Sequence, residues 1–277
     1  MNVDQLVKEI LADLRANRLK LPTLPQVAIK ISDIINDPKA SPKSITKAVS
    51  TDPALSARII QVANSPMVRA FSPVDNVQNA VIRMGMGMVR NMVSSFLVQQ
   101  LFHSKYRRLK DRITALWNHS VRVAAISHVL ANKFTHLKAD EVMLAGLVHD
   151  IGKLPIIAKA DDMPELVTND KMMDELIFQL HPKLGKIIVD TWGFAPALVT
   201  AVAEHENLTR DSEALDIADV VTVANLLSYA GKKHPLTQTD WTTVPAFDKL
   251  GITPEDSIAT LTEAREEIAE IVSLLSN

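Results

Sequence analysis

The chain has 277 residues, of which 47% are hydrophobic, 22% charged and 4% aromatic, with eight glycines and a formal net charge of −2. That length suits one large globular domain or two small ones. The lack of cysteine excludes disulfides and thiolate metal sites, and the near-neutral charge offers no overall basic field for nucleic acid.

Residues 3 to 14 place Val3, Leu6, Val7, Ile10, Leu11 and Leu14 at helical spacing, which predicts an opening amphipathic helix. Asp4, Lys8 and Glu9 among them argue against a secretory signal. No run of 18 apolar residues occurs, so no membrane span is expected, and a cytoplasmic setting fits the missing cysteine. Leu21-Pro22-Thr23-Leu24-Pro25 breaks the first helix, and Val27, Ile31, Ile34 and Ile35 predict a second. Ser41-Pro42 and Asp52-Pro53 each read as a cap followed by proline at the first helical position. Val77 to Leu101 continues the helical pattern, with a tight turn expected at Met84-Gly85-Met86-Gly87-Met88. Lys105 to Arg112 is the one basic cluster and reads as a solvated linker.

A long helix is expected from about Ile113 to Lys133. The next carries Leu144, Leu147, Val148 and Ile151 on one face, with Asp140 as its cap and Gly152 in a left-handed position past its end. A variable stretch, Lys159 to Asp174, follows. His181-Pro182 is expected to open a helix that Gly193 ends, Ala195-Pro196 another through His205, and Asp216 to Tyr229 a third. Trp241 to Gly251 reads as a loop with a short turn, and Thr253-Pro254 opens one final amphipathic helix. No alternating β-branched run appears, so the chain is expected to be all-α.

Four of the eight histidines do not read as surface residues. His119 lies in line with Leu116, Val123 and Ile126, and His205 continues the stripe Leu198, Ala201, Val202. His149 and Asp150 sit side by side at a helix end, and His181 precedes a proline. Imidazoles and a carboxylate from separate helices suit a borderline or hard divalent ion, with Fe, Mn, Zn, Ni and Mg as the candidates. Such an ion can polarise a phosphoryl oxygen or acidify a bound water. Lys153 can meet a phosphate as a point charge. The set is read as a shared pocket. Whether it holds an ion stays open, because hydrogen-bonded core histidines are the alternative. His103, His128, His136 and His234 are read as structural or exposed.

His119-Ser120-Val121-Arg122-Val123 and His149-Asp150-Ile151-Gly152-Lys153 resemble the HD superfamily of metal-dependent phosphohydrolases. His181-Pro182-Lys183-Leu184-Gly185 and Glu204-His205-Glu206 are similar to later motifs of its cyclic-dinucleotide phosphodiesterase branch. Leu21-Pro22-Thr23-Leu24-Pro25, Asp52-Pro53-Ala54-Leu55-Ser56-Ala57-Arg58 and Val62-Ala63-Asn64-Ser65-Pro66 resemble the HDOD domain, the HD-related output domain of bacterial signalling proteins.

The resemblance implies a multi-helical HD-like bundle with an N-terminal helical subdomain (1–103) and an HD-like core (104–277), continuous over about 15–275. It implies metal-site residues at His119, His149, Asp150, His181, His205 and Asn225, with Asp150 and Lys153 as the catalytic pair if the site is active. Asn225 stands where enzymatic members have a last metal-binding Asp, Glu204-His205-Glu206 replaces a paired His-His before Glu, and no GYP tripeptide follows.

Two functions are therefore expected as alternatives. One is a non-catalytic bacterial signalling module, cytoplasmic, with signalling proteins as partners, a nucleotide or phosphate as a candidate ligand, and no nucleic acid or membrane partner. The other is a phosphohydrolase acting on a cyclic nucleotide or phosphomonoester. The oligomeric state is not readable.

Overall fold

The computed structural model describes residues 2–16, 18–23, 33–34, 37–68, 72–102, 109–161 and 163–276. Among these no strand occurs, so the all-α expectation holds. The helix expected over Val27 to Ile35 falls largely outside the described residues, as does the Lys105–Arg108 part of the basic cluster.

The N-terminal helices are α1 (Val3–Arg15), α2 (Pro42–Val49), α3 (Pro53–Ala63) and α4 (Val77–Phe102). Their starts follow local chemistry. Ser41 accepts from the Ser44 N–H and Asp52 from the N–H groups of Ala54 and Leu55, while Pro42 and Pro53 occupy positions whose N–H would be unpaired in any case. The expected turn in α4 is a single break at Gly85 (φ 75°), after which helix resumes at once. α2 and α3 pack on α4.

The rest of the chain forms α5 (Lys110–Phe134), α6 (Ala139–Val148), α7 (Lys153–Asp161), α8 (Pro164–Val167), α9 (Asp170–Thr191), α10 (Pro196–Glu204) and α11 (Ile217–Ser228). After these come α12 (Pro245–Leu250), α13 (Pro254–Glu263) and α14 (Arg265–Ser276). α5 and α6 form the central pair. A side chain at Gly146 would put its Cβ 2.7 Å from Ser127 Oγ and 3.0 Å from Ala124 Cα, so the glycine lets the two backbones close up. α11 and α14 pack on α5, α4 packs on α6, and α9 packs on α10.

Several local expectations change. Asp140 lies in the first turn of α6, not at its cap, and accepts a hydrogen bond from Asn91 Nδ2 at 2.7 Å. His181-Pro182 does not open a helix, because α9 runs straight through it. A helix can keep an internal proline where packing on both sides holds it. Here α9 is fixed against α7 and α10, and His181 Nδ1 donates to the Ile177 carbonyl at 2.8 Å. The variable stretch from Lys159 contains the end of α7, α8 and the start of α9. The expected loop at Trp241 contains α12, ended by Gly251 at φ 68°. The final helix breaks at Ala264 into α13 and α14.

Candidate metal centre

His119 projects from the middle of α5, one turn past Leu116, with Val123 and Ile126 continuing the same buried stripe. α6 stops at Val148, and residues 149–152 pass through successive tight turns closed by Ile151 N–H to Val148 O and Lys153 N–H to Asp150 O, both 3.0 Å. These turns bring His149 and Asp150 to the same interior. Gly152 is required there for a reason other than the expected one. Its φ is not positive, but a Cβ on it would lie 1.9 Å from the His181 carbonyl oxygen and 2.5 Å from the Gly185 nitrogen. Gly152 thus sets how closely the His149–Asp150 turn approaches the His181 segment of α9. His205 ends α10.

Six of the residues singled out from the sequence come together. His119 Nε2 is 3.2 Å from His149 Nε2 and 3.4 Å from Asp150 Oδ2, and His149 Nε2 is 3.2 Å from the same oxygen. On the other side, His181 Nε2 is 3.1 Å from His205 Nε2, and the two lie 3.4 and 3.5 Å from Asp150 Oδ1. Lys153 Nζ lies 2.6 Å from Asp150 Oδ2. Asn225 is buried on α11, and its Oδ1, like Asp150 Oδ1, has no hydrogen-bond partner.

The ring nitrogens show what the cluster can accept. Nδ1 of His149, His181 and His205 donates to the backbone carbonyls of Gly146 (2.7 Å), Ile177 (2.8 Å) and Val202 (2.9 Å). With Nδ1 carrying the proton, each neutral ring turns a bare Nε2 lone pair inward, the tautomer that metal-binding histidines adopt. Lone pairs on His181 and His205 then face each other at 3.1 Å, an arrangement that a cation between them relieves. Metal bonds of 2.0–2.2 Å place tetrahedral ligand atoms about 3.3–3.6 Å apart, close to the spacings of both triads. Asp150 Oδ1 is a buried oxygen without a hydrogen-bond partner. The donor set therefore fits a divalent ion, with two candidate triads, His119–His149–Asp150 and Asp150–His181–His205.

Electrostatics agree. Burial pushes His119 down to about 3 against the opposing pull of Asp150, and pushes His181 well below its ordinary value, so both rings are neutral ligands at neutral pH. Burial alone would raise Asp150. The Lys153 ammonium 2.6 Å away opposes it, and the carboxyl is held well below the usual range.

A cavity of about 710 Å³ opens over His119, Asp150 and Lys153, with Arg112, Arg122 and Lys232 among its lining residues. Sequence reasoning missed several neighbours. Tyr229 stacks on His119 and on His234, and its hydroxyl lies 3.4 Å from His119 Nε2. Ser228 Oγ is 3.5 Å from His119 Nδ1. Glu206, not Glu204, faces the cluster, with Oε1 3.7 Å from His181 Nε2, whereas Glu204 accepts from Asn207. The one available signal was that His205 ends its helix, which frees the next residue to turn inward.

A family model described as HDOD domain matches residues 21–208. A crystal structure from Shewanella amazonensis SB2B, provisionally named a metal-dependent phosphohydrolase, is 28% identical, with a TM-score of 0.85 and 99% of each chain covered. One from Marinobacter aquaeolei VT8, provisionally named a signal transduction protein, is 20% identical with a TM-score of 0.64, covering 94% of this chain and 61% of the other. An uncharacterized protein of Treponema pallidum is 21% identical over 221 residues. The match takes in 74% of this chain but spans only 42% of that relative's length.

Proposed function

The chain belongs to the HDOD domain family, and from that premise we propose that it is a signalling module whose histidine–aspartate cluster holds a divalent metal beside a cationic cavity suited to a phosphate-bearing ligand. The carrying observation is the convergence of four Nε2 atoms on the two oxygens of buried Asp150. The imidazole-rich set suits Zn, Fe, Mn or Ni better than Mg. When bound, such an ion would supply Lewis-acid polarisation of a phosphoryl oxygen. Arg122 and Lys232 on the cavity wall would attract the anion, and Lys153 would stand between it and Asp150. The output is read as ligand-dependent contact with signalling proteins, without turnover. Two features support that reading. Asn225 is neutral, and Lys153 already occupies the Asp150 oxygen nearest the cavity-lining His119.

Phosphohydrolase activity is the second reading. The open cationic cavity over the cluster favours it, as does the likeness to the Shewanella protein. Metal analysis of tag-free protein, paired with a phosphodiester and phosphomonoester hydrolysis assay, separates the two. The signalling reading expects bound metal and no turnover. Hydrolysis that disappears in His149→Ala would replace it with the second reading.

A further inference from the structure

The two sides of the cluster are unequal. Asp150 Oδ2, between His119 and His149, already has the Lys153 ammonium at 2.6 Å. Asp150 Oδ1, between His181 and His205, is buried and has no hydrogen-bond partner. Glu206 adds a second carboxylate on the Oδ1 side only, with Oε1 3.7 Å from His181 Nε2 and 4.0 Å from His205 Nε2. Among the described residues, no carboxylate but Asp150 comes within ion-pair distance of His119 or His149. Beside them lie the Lys153 ammonium on Asp150 Oδ2 and two neutral groups, the Tyr229 hydroxyl 3.4 Å from His119 Nε2 and Ser228 Oγ 3.5 Å from His119 Nδ1.

Resting on the reading that the cluster binds a divalent metal, we propose that it binds one ion, held by His181, His205, Asp150 Oδ1 and Glu206. The Lys153 ammonium fills the place of a second ion beside His119 and His149. Charge supports this arrangement. Two carboxylates balance one divalent ion, and the ammonium is the remaining cation. A second divalent ion would stand next to that ammonium with no further anion to offset it, in a buried setting where like charges repel strongly. Lys153 can take this position because it opens α7 just beyond the turn that carries Asp150, three residues on and facing the same way. Lys153 is thus a residue that sets metal stoichiometry.

The test uses the tag-free 277-residue chain, stripped with chelator and reloaded with Mn(II), with stoichiometry read by native mass spectrometry and ion–ion coupling by electron paramagnetic resonance. The wild-type chain should take one ion and show an uncoupled signal. Lys153→Met should take two and show a coupled pair, and Lys153→Arg, which keeps the cation, should stay at one. Affinity should fall by more than about tenfold in His205→Ala, since loss of even an outer-shell partner reaches that scale. His119→Ala should lose less affinity than His205→Ala. Two ions in the wild-type chain, or an ion kept by His205→Ala and lost by His119→Ala, would overturn the proposal and leave the metal reading standing. A folded Lys153→Met chain that still takes one ion would overturn the role given to the ammonium. No ion in any variant would overturn both. If Lys153→Met fails to fold, Lys153→Arg and the two histidine variants still decide the matter.

Discussion

The region of α2 to α4 and the region of α5 to α11 bury different kinds of residue. In the first, Ile45, Val49, Ile59, Val62 and Met92 make an apolar interior, the buried polar side chains of Ser65, Ser95 and Gln99 have hydrogen-bond partners, and Arg90 Nε is the one buried side-chain nitrogen or oxygen among its described residues without one. In the second, four helices bring imidazoles and a carboxylate inside, and several buried oxygens, including those of Ser120, Thr222, Asn225 and Asp150 Oδ1, have no partner. Unpartnered buried polar groups cost stability. The difference teaches that the first region is built for packing, and that the second gives up packing energy to hold a site.

The largest expected effect comes from separating the two. α4 packs on α6, and Asn91 of α4 holds Asp140 of α6, so a chain starting near residue 104 should expose an apolar face and be poorly soluble. A monodisperse, folded truncation, checked by light scattering and circular dichroism, would show that the site region stands alone.

Two glycines sharpen the comparison. Gly152→Ala forces a Cβ into the His181 backbone and should cost about 1–3 kcal/mol or more, with loss of metal affinity. Gly87 in α4 has no atom within 4 Å of such a Cβ, so Gly87→Ala should stabilise by about 0.5–1 kcal/mol. Chemical denaturation measures both. Equal effects would mean that the two regions are packed alike.

A third pair separates stability from binding. Ile59→Ala should destabilise by about 2–5 kcal/mol, yet still gain about 2.7 kcal/mol from metal at 100 times its Kd. His205→Ala should lose that metal-dependent gain. Thermal unfolding with and without Zn(II) reads the difference.

The last effect concerns pH. Burial holds His119 at about 3 and His128 at about 4, both below the ordinary value of 6.5. Between those values the unfolded chain binds more protons than the folded one, so stability falls as pH drops from 6.5 towards 4. Asp150, held low by its neighbours, adds a loss in the same direction below 3.8. The melting temperature of metal-free protein should therefore drop over that range, and His128→Gln should flatten part of the slope. A pH-independent melting temperature would show that these rings are not buried neutral.

Local signals were legible and distant ones were not. Ser41-Pro42, Asp52-Pro53 and Thr253-Pro254 announce helix starts because cap and proline act within one turn. The inward stripes carrying His119 and His205 were readable for the same reason. His181-Pro182 misleads, because the packing of α9 on two other helices overrides proline's local preference. Gly152 reads as a helix cap from its neighbours, whereas its partner is the His181 backbone 29 residues away in sequence. Tyr229 and Glu206 join the site only through the meeting of separate segments, which no spacing in the chain encodes.

The central claim is that His181, His205 and Asp150 coordinate an ion. Anomalous diffraction from a crystal of the Zn(II)-loaded chain tests it most directly. The account predicts a peak about 2.0–2.2 Å from His181 Nε2, His205 Nε2 and Asp150 Oδ1. A map with no peak there, and with the four rings hydrogen-bonded only to protein, would contradict it.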